Sequence, residues 1–163
     1  SNTQNFTHPQ TTNRDRMMAA WLKTISGAPD DLARRMFTAK SDLSGARLFQ
    51  ALDGDSKTLT IQDKRVSTMQ LEIYYPQKLI ADRLGEMQKI LSDFAKENSA
   101  DFGYLNVKNL ESGESFILCA DEATRSLFAS MPGVEWGRNL SHSKQRTLRK
   151  QINAWIDERL SRT

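Results

Sequence analysis

From Arg65 onward the side chains alternate, with Met69, Leu71, Ile73 and Tyr75 on one side and Thr68, Gln70, Glu72 and Tyr74 on the other. A two-residue period in β-branched and aromatic residues predicts a half-buried strand. Pro76 ends it: proline has no N–H for a ladder, but its fixed φ suits the first turn of a helix. Over residues 77–96 apolar side chains return at Ile80, Leu84, Met87, Leu91 and Phe94. Steps of three and four place them on one stripe, leaving Asp82, Arg83, Glu86, Lys89, Asp93 and Lys96 on the wet side of an amphipathic helix. Residues 102–110 read as a strand that carries Asn106, Lys108 and Asn109, and residues 111–114 supply a turn. Residues 116–119 are apolar without a break, the pattern of a strand covered on both faces. Asp121 is placed to cap a helix through Ala123, Leu127 and Phe128 that Pro132-Gly133 stops, and residues 134–136 form one more short strand.

The flanks carry weaker patterns. A helix is predicted from about Asn13, with Met18, Trp21, Leu22 and Ile25 on one side and Gly27 as its stop. Pro29-Asp30-Asp31 opens a second helix, with Leu32, Met36 and Phe37 as its apolar side. A third covers residues 42–52 through Leu43, Phe49 and Leu52. Asp53-Gly54-Asp55-Ser56 resembles the start of a calcium loop. That loop needs Gly at its sixth position and Glu at its twelfth, where this chain has Thr58 and Lys64, so a polar turn is the reading. Leu59 and Ile61 alternate with polar neighbours and predict a strand over 57–62. It competes with 134–136 for the free side of the main strand, and the shorter connection favours 57–62. Leu148, Ile152, Trp155, Ile156 and Leu160 make a helical stripe in a segment running from Ser141 to about Leu160.

The predicted fold class is α+β: a helical N-terminal section, a four- or five-stranded antiparallel or mixed sheet in split βαβ (ferredoxin-like) order, and a long C-terminal helix. In that topology the strand at 116–119 lies between the other two, and the Lys- and Asn-bearing strand falls at an edge, where charge discourages aggregation. Residues 1–12, polar and beginning with a Ser-Asn that resembles a cloning remnant, are expected to be a disordered lead-in. Residues 13–163 are expected to form a single domain, with 13–53 helical, 57–136 the sheet-and-helix core and 141–162 the basic C-terminal helix.

A chain of 163 residues is large enough to bury a core without cross-links. The single cysteine, Cys119, excludes an intrachain disulfide but not export, and no run approaches a membrane span. The compartment and the oligomeric state stay open. Charge is unevenly spread: residues 1–63 sum to +1, residues 64–135 to −3 and residues 136–163 to +5. The last segment concentrates its charge at His142, Lys144, Arg146, Arg149 and Lys150, the candidate partner-binding residues. Cations crowding a helix N-terminus oppose its dipole, so an acidic surface, internal or on a partner, is expected to meet them.

No catalytic, cofactor or metal residues are assigned. Phosphate loops, nucleophile elbows and zinc-protease motifs are missing from the sequence. A zinc site would need both histidines, His8 and His142, together with carboxylates, and His8 falls in the lead-in expected to be disordered. Glu111 and Glu114 read as solvated turn residues. The function these features support is a non-enzymatic, metal-free protein-binding domain: an adaptor, inhibitor or secretion-associated factor. One alternative is a nucleic-acid-binding regulator that contacts phosphates through the basic helix, although the sheet lacks the aromatic RNA-binding signature. The other is an enzyme with Cys119 as nucleophile and His142 as base, weakened because Cys119 closes an apolar strand.

Overall fold

In a computed structural model the chain is described at residue 6 and over residues 10–137 and 140–162. It divides into two compact units, residues 1–42 and 43–163. The first contains α1 (Asn13–Ser26) and α2 (Leu32–Lys40). Thr12 and Asp15 close a capping box at the start of α1, and Gly27 ends it at φ 63°, a left-handed conformation that glycine adopts without a Cβ clash. Met18, Trp21, Leu22, Ile25 and Met36 are exposed, so the predicted apolar sides of these two helices bury no residue.

The second unit is α+β, as predicted, with a mixed sheet of six strands rather than four or five. Its elements are α3 (Arg47–Gly54), β1 (Ser56–Ile61), β2 (Lys64–Ile73), α4 (Pro76–Glu97), β3 (Phe102–Asn109), β4 (Ser115–Cys119), α5 (Glu122–Phe128), β5 (Glu135–Trp136), β6 (Ser141–Ser143) and α6 (Arg149–Leu160). The sequence order strand–helix–strand–strand–helix–strand is the one read from the periodicities. The spatial order, β1-β2-β3-β4-β6-β5, is not. β2 and β3 are adjacent and parallel, with α4 supplying the long crossover that parallel neighbours require. The turn after β3 is short, so β4 folds back onto the other side of β3 as a hairpin. The Lys-bearing β3 is therefore interior rather than an edge, and β4 lies between β3 and β6. β1 pairs with β2 as expected, while β5 joins the opposite edge through β6, so the two never compete.

One sheet face, with Met69, Leu71, Leu105, Val107 and Leu118, packs against Leu48 and Leu52 of α3 and Ile80, Met87 and Leu91 of α4. In α3 the buried pair is Leu48 and Leu52, and Phe49 turns outward. The other face packs Val66, Tyr104 and Ile117 against Phe128 of α5 and Ile152 and Ile156 of α6. The segment expected to be helical from Ser141 forms β6 first. It takes its ladder from β4, and the helix starts only at Arg149. None of the helices among the described residues is long and apolar enough to cross a membrane.

Candidate functional site

The parallel register sets Gln70 opposite Asn106 and Glu72 opposite Lys108, and the antiparallel register adds Ser115 beside Lys108 and Ser143 beside Ser115. Because strand side chains alternate, these residues share one face, toward the carboxyl ends of β2 and β3. Polar groups gathered in a largely covered place must satisfy one another. The Lys108 ammonium, with its side chain 4% exposed, donates to Gln70 Oε1 at 2.8 Å and to Glu72 Oε1 at 3.1 Å. Gln70 Nε2 donates in turn to Asp55 Oδ2 at 3.1 Å, and Arg149 donates to Asp55 Oδ1 at 2.7 Å and to its carbonyl at 2.9 Å. The loop from β6 to α6 is tied to the same face: Asn106 Nδ2 donates to the Thr147 carbonyl and the Thr147 N–H to Ser115 Oγ, each at 2.8 Å.

Three cations, Lys108, Arg146 and Arg149, thus stand close to two carboxylates, Asp55 and Glu72. Burial lowers the pKa of Lys108; Glu72 opposes that shift, and Arg146 and Arg149 add to it. Burial also lowers that of Arg146, again opposed by Glu72. Lys108 thus lies within reach of the charges of both arginines, and Arg146 within reach of Glu72.

The basic residues singled out in the sequence do not form one helix face. Arg146 lies in the loop before α6 and Arg149 in its first turn, and both reach the cluster around Lys108. His142 sits on β6, where its ring stacks on Phe116 at 5.0 Å and its Nε2 lies 3.1 Å from Glu114 Oε1. Lys144 is exposed, 3.8 Å from Glu135, and Lys150 is exposed on α6. The acidic surface expected to meet the cations is internal for Arg149, whose partner is Asp55. Sequence reasoning missed Lys108, Glu72, Gln70 and Asn106. Their signal was present, since both strands turn polar at alternate positions in their second halves, but the register that matches them is a tertiary fact.

Cys119 is half-buried and lines a hollow of about 260 Å³ with Gln88, Asp121 and Arg125. Burial pushes its thiol up to about 12, with Asp121 adding to the effect, the opposite of what a nucleophile needs. Its imagined base, His142, is engaged by Glu114. Nor are the two turn glutamates simply solvated: Glu111 accepts from the Tyr75 hydroxyl at 2.8 Å, and Glu114 holds His142. His8 lies outside the described residues.

Residues 34–159 match the family model of the DHHA2 domain. The chain belongs to the DHHA2 domain family. A solved structure agrees in fold: a Methanococcus jannaschii protein described as a "putative family II inorganic pyrophosphatase" matches with a TM-score of 0.77 at 20% identity, covering 98% of this chain and 52% of that one. The DHHA2 chain thus spans about half the length of that protein. No curated protein matches. The expectation of a non-enzymatic, metal-free adaptor is overturned by the DHHA2 family match and by the fold shared with that structure. No contiguous motif marks the polar cluster, because it is assembled from residues scattered between positions 55 and 149.

Proposed function

We propose that this chain is the DHHA2 part of a pyrophosphatase- or phosphoesterase-type enzyme, and that its part in the chemistry is to bind phosphate through Lys108, Arg146 and Arg149. Hydrolysis of a phosphoric anhydride or ester spreads negative charge over non-bridging oxygens, and fixed cations in a poorly hydrated site stabilise that charge strongly. Arginine adds a planar fork that matches two phosphate oxygens at once, while lysine acts as a point charge. The observation that carries the reading is the placement of Lys108 and Arg149 toward the carboxyl ends of the parallel strands β2 and β3, with Arg146 next to Thr147, whose backbone is tied to Asn106 and Ser115 on the same face. Ligands of α/β sheets generally bind outside that end. Among the described residues no group of three or more His, Cys, Asp or Glu comes together to hold a metal.

The test is calorimetric binding of inorganic pyrophosphate to the chain. Binding should weaken at least about tenfold, or ~1.4 kcal/mol, in Arg146→Gln/Arg149→Gln, and should stay unchanged in the exposed control Lys150→Gln. Equal affinity in the double variant and the parent would defeat the proposal.

A further inference from the structure

The phosphate reading leaves an oddity, because the cation best placed to be a fixed point charge already has an anion. Lys108 Nζ lies 3.1 Å from Glu72 Oε1, and Gln70 completes the arrangement by accepting from the ammonium at 2.8 Å and donating to Glu72 Oε1 at 3.3 Å. The two members of the pair differ in exposure. The lysine side chain is 4% exposed, on an interior strand, whereas the glutamate side chain is 26% exposed. Removing a carboxylate from a buried ammonium leaves an uncompensated charge, so the pair parts only when another anion takes over. Glu72 is the more exposed member, so the carboxylate rather than the ammonium is the one positioned to give way.

Resting on the phosphate-binding reading above, we propose that Glu72 is an internal competitor for the substrate anion: its carboxylate occupies the place of a phosphate oxygen on Lys108, and substrate binds by displacing it. The consequence is selectivity by charge. A singly charged anion gains little by exchanging with a carboxylate that is tethered and already in place. A multiply charged polyphosphate reaches Lys108 together with Arg146 and Arg149 and more than replaces what is lost. The ion pair then acts as a threshold, keeping the cations neutralised until an anion of higher charge arrives.

The experiment compares pyrophosphate and orthophosphate binding, and the melting temperature with and without pyrophosphate, in the parent chain, Glu72→Gln and Glu72→Gln/Lys108→Met. Glu72→Gln should bind pyrophosphate at least about tenfold more tightly than the parent and should gain still more for orthophosphate, narrowing the discrimination. It should melt lower than the parent without ligand and recover in pyrophosphate, because the ligand supplies the missing counter-charge. The double variant should lose both the gain in affinity and the ligand-dependent recovery. A purely structural Glu72 would lower the melting temperature without improving affinity, and that outcome, with the parent still binding pyrophosphate, overturns the competitor while sparing the phosphate site. No binding to any folded variant would overturn the phosphate site and the competitor together. Should Glu72→Gln fail to fold, Glu72→Asp, which withdraws the carboxylate by one methylene, should show a smaller gain in pyrophosphate affinity, and an unchanged or weaker affinity there would overturn the competitor.

Discussion

Gly103 sits at the start of β3 where two elements approach the strand. A Cβ added there would meet Ala120 Cβ at 2.8 Å and Ala95 Cβ at 3.0 Å, closer than carbon atoms settle without displacement. Its N–H donates to Thr124 Oγ1 at 3.0 Å, and Thr124 is itself held by the Asp121 carboxylate that caps α5. Gly103→Ala should therefore destabilise the chain by about 1–3 kcal/mol through overpacking, read as a lower urea midpoint with an unchanged slope. An unaltered midpoint would mean that α4 and the β4–α5 junction yield easily. Nothing in the sequence marked this glycine, because neither alanine is near it in the chain. Lys108 was misread for a similar reason: a lysine in a strand usually signals an edge, and here Glu72 and Gln70 on a neighbouring strand make an interior place tolerable.

At the scale of the element, α4 shows how far periodicity carries. Its stripe was legible, and Ile80, Met87 and Leu91 are buried against the sheet. Leu84, drawn on the same stripe, is only partly buried. The stripe assumed a straight helix, but Arg83 leaves helical geometry at φ −132° and ψ 20°. Its guanidinium donates to the Leu43 and Gly45 carbonyls and pairs with Glu86, tying the bend to the chain ahead of α3. Leu91→Ala, with the side chain fully covered, should cost about 2–5 kcal/mol, and Leu84→Ala clearly less. Equal losses in urea unfolding would show that the bend does not spare Leu84.

For the molecule as a whole, alkaline pH reads out the second core. Burial pushes the Tyr104 hydroxyl from 10.0 up to about 12, and the Cys119 thiol from 9.0 up to about 12. Both groups hold their protons more tightly folded than unfolded, so their contribution is complete below pH 9 and is lost as the pH climbs toward 12. Lys108 has the opposite sign: its lowered pKa means that the unfolded chain binds more protons, so stability rises with pH up to the ordinary lysine value of 10.5. Above 10.5 only the tyrosine and cysteine terms of these three remain. The urea midpoint should fall between pH 10.5 and 12, and Tyr104→Phe/Cys119→Ala should flatten that fall. A slope unchanged in the double variant would sink this account.

The sequence by itself determined what depends on near neighbours. The start of α1 near Asn13 and its Gly27 stop, Pro76 opening α4, the Asp121 cap and the order of elements from β1 to α5 all follow from periods of 2 and 3.6 and from backbone preferences within a few residues. Arg146 and Arg149 were legible as part of a basic cluster, though not as partners of Lys108. Only the tertiary structure decided which strands adjoin, that Ser141–Ser143 is a strand, and that three cations meet two carboxylates on one face. A three-residue strand has no period of its own and exists because Ser115–Ile117 offers it a ladder. The cluster likewise depends on pairings such as Arg149 with Asp55, 94 positions apart, whose hydrogen bonds exist only once the sheet has closed.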